Sequence, residues 1–282
     1  MLSIKNQMCG YSKIIGFIFL LFLGSGHAQN GPFKPKNGNT YVIAHRGEHN
    51  GIPENSLAAY RKAIDLGCDY IEIDVRTTKD RKFVSVHNAT IDAYVIGKTG
   101  KVADFTLSQL HGMDIGIKLG EKWRNTKIPT FEEILALCQG KIGIYLDLKE
   151  ADPKDLIPFI KKYGMEDAIV WYLPASAHNE LISIKTNCPE CLIMPDPGNK
   201  RNIRKVFKDY APKYMASDMG NISKSFVKQI HSKEVKVFVD DNGDDPKKWH
   251  QKWQKLLDLG VDGIQTDQPQ ALIEFILTTK NQ

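Results

Sequence analysis

From residue 41 to the C-terminus, short apolar runs rich in β-branched and aromatic residues alternate with amphipathic stretches, and most of the runs end in an acid or a histidine. A chain that alternates strand and helix in this way builds a parallel sheet from repeated βα units. Eight such runs are present: YVIAH from 41, YIEIDV from 70, IGIYLDLK from 142, AIVWYL from 168, CLIMPD from 191, YMASD from 214, KVFVDD from 236 and GIQTD from 263. Helical patterns fall between them. In SLAAYRKAIDLG, Leu57, Tyr60, Ile64 and Leu66 make a stripe that Gly67 ends, with Ser56 or Asn55 as N-cap. In TFEEILALCQG, Thr130 and Glu133 are spaced as a capping box before Gly140.

Eight βα units fit a (β/α)8 TIM barrel, which uses about 250 residues as one unit, and the chain has 282, of which 42% are hydrophobic. The first 28 residues precede it. Lys5 and Lys13, the apolar stretch Ile14 to Leu23 and small residues up to Ala28 have the layout of a cleaved export leader, too short for a comfortable membrane span. Residues 29–40 read as a linker and 41–282 as the barrel domain, secreted or periplasmic, with no stable membrane span once the leader is cut. Loss of the leader moves the formal charge from +5 to +3, too mild a surplus to imply a nucleic-acid partner. In an exported chain, Cys188 and Cys191 of CPEC are expected as a small disulfide loop or plain thiols; a lone C-x-x-C lacks the partners of a zinc site.

One segment breaks the repeat. Residues 77 to about 127 separate the second strand from the next helix, longer than a usual connection. They read as an insertion: KFVSVHN alternates as a strand folding back on DVRTTKD through a turn at Lys79 to Arg81, which brings His87 near the barrel mouth, and the remainder reads as a small capping subdomain.

A barrel collects its chemistry at the C-terminal ends of its strands, and His45, Asp74, Asp147, Asp196, Asp218, Asp240 and Asp267 fall there. Glu72 and Asp74 lie two apart on one strand, so both side chains point into the barrel. Two carboxylates there repel unless a cation neutralises them. A hard divalent ion, Mg2+ or Ca2+, is the economical answer, with Asp147 completing an all-oxygen site. Lys149, on the same strand face, can alternatively pair with one of these carboxylates and also meet an anionic substrate. His45, Arg46 and Gly47 put an imidazole, a guanidinium and a turn at one point, suited to a phosphate ester: Arg46 forks onto phosphate oxygens, while His45 and His87 serve as base and acid. Glu54 is a partner for Arg46 or a further metal ligand. His49, His111, His178, His231 and His250 lack such company and read as structural or solvent residues. Asp196, Asp218, Asp240 and Asp267 read equally as loop caps or ligands.

HRG at 45–47, PENS at 53–56, GCDYIEIDVRTTKD at 67–80, the strand carrying His87, IPTFEEIL at 128–135, YLDLK at 145–149 and VDGIQTDQP at 261–269 resemble the glycerophosphodiester phosphodiesterase family in order and spacing, across nearly the whole mature chain. The resemblance implies a metal-dependent TIM-barrel hydrolase that converts glycerophosphodiesters to sn-glycerol 3-phosphate and an alcohol. It implies His45 and His87 as the acid/base pair, Arg46 and Lys149 on phosphate, and Glu72, Asp74 and Asp147 as metal ligands. The chain departs from the family in three places. Asp147 stands where Glu is usual, Asn88 follows His87 where Asp is usual, and FVDDNGDD replaces a run whose Trp packs on the glycerol moiety. Trp171 and Tyr172 are then expected to supply that apolar wall. Two other readings follow from the departures: a phosphodiesterase for another substrate, such as glycerophosphoinositol or a sugar phosphodiester, and an exported phosphoester-binding barrel without catalysis.

Overall fold

A computed structural model of the protein describes residues 34–242 and 245–279; the expected leader, part of the linker and part of the FVDDNGDD run lie outside them. Strands β1 (Tyr41–Ala44), β2 (Tyr70–Thr77), β4 (Gly143–Glu150), β5 (Ile169–Pro174), β6 (Leu192–Asp196), β7 (Tyr214–Asp218), β8 (Lys236–Asp240) and β9 (Gly263–Thr266) are parallel and follow the order β6-β5-β4-β2-β1-β9-β8-β7. The short β3 (Phe83–Ser85) pairs antiparallel with β2. The two ends of the path, β6 and β7, lie side by side, so the barrel is nearly closed. Every expected run is a strand.

Helices α1 (Leu57–Asp65), α3 (Phe131–Cys138), α4 (Pro153–Tyr163), α5 (His178–Asn187), α6 (Ile203–Tyr210), α7 (Lys224–His231), α8 (Trp249–Leu259) and α9 (Pro269–Thr279) pack around the barrel. The Ser56 hydroxyl caps α1 by accepting from the Ala59 amide, and Thr130 and Glu133 form the expected capping box on α3. Cys188 and Cys191 are disulfide-bonded. No helix among the described residues is long and apolar enough to cross a membrane.

The chain between β2 and α3 carries β3, α2 (Leu107–His111) and short 3-10 turns around a small core of its own that includes Val84, Ile91, Val102 and Leu110. Its opening hairpin turns at Thr78–Lys82, where the Thr78 amide donates to the Lys82 carbonyl at 2.8 Å.

Inside the barrel, Tyr41, Tyr70, Tyr214 and Phe238 form an aromatic floor, with Phe238 5.2 Å from Tyr214 and 5.5 Å from Tyr41 between ring centres. Gly263 makes room for it, since a Cβ there would lie 2.5 Å from the Phe238 ring. Two residues further along the strands the same inward face turns polar: Tyr70 is followed by Glu72, Tyr145 by Asp147, Phe238 by Asp240 and Gly263 by Gln265. The apolar floor thus ends where the mouth begins.

Candidate active site

The β1–α1 loop makes the first wall. Arg46 (φ +53) and Gly47 (φ +80) are both left-handed, a conformation that costs a non-glycine residue about 1 kcal/mol and is kept where the surroundings enforce it. At Gly47 no other residue fits, because a Cβ would sit 2.8 Å from Ala59 of α1. This turn directs the Arg46 amide onto Glu72 Oε2 at 2.8 Å and its guanidinium onto Glu54, with Nη1 3.2 Å from both carboxylate oxygens.

Glu72 and Asp74 are buried, and Asp74 lies opposite Asp147 in the β2–β4 ladder. One oxygen from each of Glu72, Asp74 and Asp147 lies within 4.8 Å of the others. Burial, then the proximity of Asp74, pushes the Glu72 carboxyl well above its ordinary range, and burial likewise raises Asp147. Such a cluster calls for positive charge. Lys149 supplies some of it, its Nζ 2.6 Å from Asp147 and 3.3 Å from Asp74 Oδ1. Asp74 Oδ1 nevertheless lacks a hydrogen-bond donor. An oxygen-only donor set with an unsatisfied buried oxygen fits a hard divalent cation.

His45 Nε2 lies 3.9 Å from Glu72, and His87 directly follows the Val86 amide that donates to the Asp74 carbonyl at 3.0 Å, which brings its imidazole to the Asp147 side of the cluster. The partners of the two imidazoles differ. His45 Nδ1 donates to Asp267 Oδ1 at 2.6 Å, a residue 222 positions away. Burial alone would lower the His45 pKa, but Asp267 and Glu72 outweigh it and raise it from 6.5 to about 9. His87 Nδ1 meets the neutral amide oxygen of Asn88 at 2.9 Å, which fixes the tautomer without adding charge and leaves Nε2 for chemistry.

Several participants are invisible in the local sequence. Asn55 (φ +50) is buried; its Nδ2 donates to Asp74 Oδ2 at 2.8 Å, and its Oδ1 accepts from the hydroxyls of Tyr60 and Ser85 at 2.8 and 2.9 Å. Arg76 reaches the His87 carbonyl at 2.6 Å. His49, expected as a structural or solvent residue, donates from Nδ1 to the His45 carbonyl at 3.0 Å and places Nε2 3.6 Å from Asp267. A cavity of about 450 Å³ between this rim and the insertion is lined by Arg46, His49, Glu54, Asn88, Tyr94 and Ile115.

One expectation is corrected. Trp171 is fully buried among the residues packed between barrel and helices, so it cannot line the mouth. β5 turns Val170 and Tyr172 inward, and the Tyr172 ring stacks on Tyr145 at 5.5 Å. On the adjoining flank, Asp196, Asp218 and Asp240 accept from amides of their own loops, Gly198 at 2.7 Å, Gly220 at 2.7 Å and Asn242 at 2.8 Å, while Asp240 also receives Gln265 Nε2 at 3.3 Å. These three are loop caps, whereas Asp267 is a histidine partner.

The sequence profile of the glycerophosphoryl diester phosphodiesterase family matches residues 45–271. A glycerophosphodiester phosphodiesterase of Caldanaerobacter subterraneus subsp. tengcongensis is 33% identical over 258 residues, covering 84% of this chain and 98% of the relative. Among solved structures, a glycerophosphodiester phosphodiesterase from Agrobacterium tumefaciens has a TM-score of 0.73 at 21% identity, covering 83% of this chain and 99% of that one. An Oleispira antarctica phosphodiesterase in complex with the product sn-glycerol-3-phosphate has a TM-score of 0.73 at 22% identity, covering 84% and 96%.

Proposed function

The chain belongs to the glycerophosphoryl diester phosphodiesterase family, and we propose that its barrel mouth hydrolyses glycerophosphodiesters to sn-glycerol 3-phosphate and an alcohol with one divalent metal ion, Mg2+ or Ca2+. The observation that carries this reading is the three-carboxylate cluster of Glu72, Asp74 and Asp147 flanked by two imidazoles. When bound there, the ion would supply Lewis-acid polarisation of a phosphoryl oxygen. Arg46 and Lys149 orient the phosphate. Glu54 holds the Arg46 fork in place.

The proton roles follow from the partners. His45, kept protonated by Asp267, gives its Nε2 proton to the departing alcohol oxygen as the P–O bond breaks. His87, with its neutral partner and free Nε2, takes the proton of the attacking oxygen as the new P–O bond forms. The pair serves either nucleophile: water directly, or the glycerol hydroxyl to a cyclic phosphate that water then opens. The net reaction consumes one water in both cases.

The experiment is release of sn-glycerol 3-phosphate from glycerophosphocholine, before and after EDTA. Turnover that EDTA abolishes and Mg2+ or Ca2+ restores is expected, and His45→Ala and His87→Ala should each lose about 10²–10⁴-fold in kcat. Full turnover in either variant overturns the assignment, and ligand-induced melting shifts without product favour a binding barrel. The polar flank of Asp240 and Gln265 favours a second reading, in which a polyol such as glycerophosphoinositol is preferred; a head-group panel decides between them. The leader-like residues 1–28 support export to the periplasm or medium, checked by the N-terminus of the mature protein.

A further inference from the structure

Along β2 the inward series Glu72, Asp74 continues to Arg76, which is 7% exposed. Its Nε donates to the Val86 carbonyl at 3.0 Å and the His87 carbonyl at 3.2 Å, and Nη2 donates to the His87 carbonyl at 2.6 Å. Nη1 lies 2.8 Å from Glu150 Oε2 at the end of β4. The β2–β3 hairpin ends with the Val86 amide on the Asp74 carbonyl at 3.0 Å, and His87 lies just beyond. There the guanidinium takes over from the strand ladder as the tie between the His87 peptide and the barrel wall.

A bulge makes this possible. β2 and β4 run in register through Asp74 opposite Asp147 and Val75 opposite Leu148, and then Arg76 pairs with Glu150, leaving Lys149 as the extra residue. Without the bulge, Arg76 would sit opposite Lys149, cation against cation. With it, Lys149 turns to Asp147 and Asp74 while Glu150 meets Arg76, the kind of re-aiming that bulges perform beside active sites.

We propose that Arg76, braced by Glu150, is a positioning residue that sets the reach of His87 toward the reacting phosphate. Its guanidinium is taken up by the Val86 and His87 carbonyls and by Glu150, so it acts through the His87 peptide. The proposal rests on the acid/base role of His87 given above. A misplacement of about 1 Å costs on the order of 10²-fold in rate. Arg76→Met is therefore expected to lower kcat about 10- to 100-fold with KM within about twofold, because Arg46 and Lys149 still bind phosphate. Arg76→Lys should fall between, since one ammonium cannot span two carbonyls and a carboxylate, and Glu150→Gln should lose only about threefold.

The test is a double-mutant cycle with glycerophosphocholine, each variant checked by thermal melting. Arg76→Met should add no loss on a His87→Ala background. An equal loss on both backgrounds, or wild-type kcat in Arg76→Met, overturns the proposal; if Arg76→Met does not fold, Arg76→Lys and Glu150→Gln run the same cycle. A parallel readout needs no turnover. In 15N-labelled protein the His87 ring resonances should shift and broaden in the Arg76 variants while those of His45 stay in place. A wild type inactive on every diester would overturn the functional reading, and the ring resonances would still decide whether Arg76 holds His87.

Discussion

Replacing Asn55 with Ala probes a side chain that ties the carboxylate cluster to Tyr60 of α1. The substitution removes the Nδ2 donor 2.8 Å from Asp74 Oδ2 and the acceptor shared by Tyr60 and Ser85, whose hydroxyls keep only their mutual contact at 2.8 Å. Losing a donor to a buried carboxylate costs about 2 kcal/mol and stranding part of the hydroxyl network about 1 kcal/mol. Alanine at φ +50 adds about 1 kcal/mol. The sum of about 4 kcal/mol lowers the melting temperature by about 10 °C for a chain of this size. Urea and thermal unfolding of EDTA-treated protein measure it, so that a bound ion does not mask the loss at Asp74. Asn55→Gly should recover about 1 kcal/mol by removing the backbone strain while leaving the polar loss. An Asn55→Ala protein within about 1 kcal/mol of wild type would refute the reasoning, because each broken contact is buried.

Other outcomes follow from the same geometry. His45 is raised from 6.5 to about 9, so its contribution to the metal-free fold is fully present below about pH 6.5 and is lost as pH rises through about 9. Asp267→Asn should flatten that slope in urea midpoints, and an unchanged slope would contradict the pairing. Trp171→Phe should cost about 1–3 kcal/mol of stability and leave KM unchanged, whereas Tyr172→Ala should raise KM in the glycerophosphodiester assay. Gly47→Ala, with a Cβ 2.8 Å from Ala59 and φ +80, should destabilise by about 3 kcal/mol, read as a lower urea midpoint.

The fold was legible because its signals are local. Apolar runs mark the strands, Thr130 and Glu133 cap α3, and the alternation in KFVSVHN announces the hairpin. Glu72 and Asp74 stood out because paired acids in a buried strand contradict their surroundings. Trp171 and Tyr172 were harder. In AIVWYL both faces of the strand are apolar, so a period of two carries no phase, and only the pairing of Asp147 with Tyr172 decides which ring faces inward. Asn55 reads as a turn or cap residue from its neighbours, since its partner Asp74 is 19 residues away. Arg76 looks like ordinary strand polarity until a bulge, which leaves no trace in composition, brings Glu150 beside it.

The junction between β6 and β7 carries no backbone ladder among the described residues, and in the ring of strands it lies diametrically across from β1 and β2. Amide groups along an unzipped seam open at lower free energy than those in a continuous sheet. Hydrogen exchange should therefore be fastest there, and breathing of the barrel should widen the rim near Asp196 and Asp218 while the wall that holds Glu72 and Asp74 stays still. On the function proposed above, bulky alcohol groups should then pass on the loose side of the ring while the wall of Glu72 and Asp74 is undisturbed.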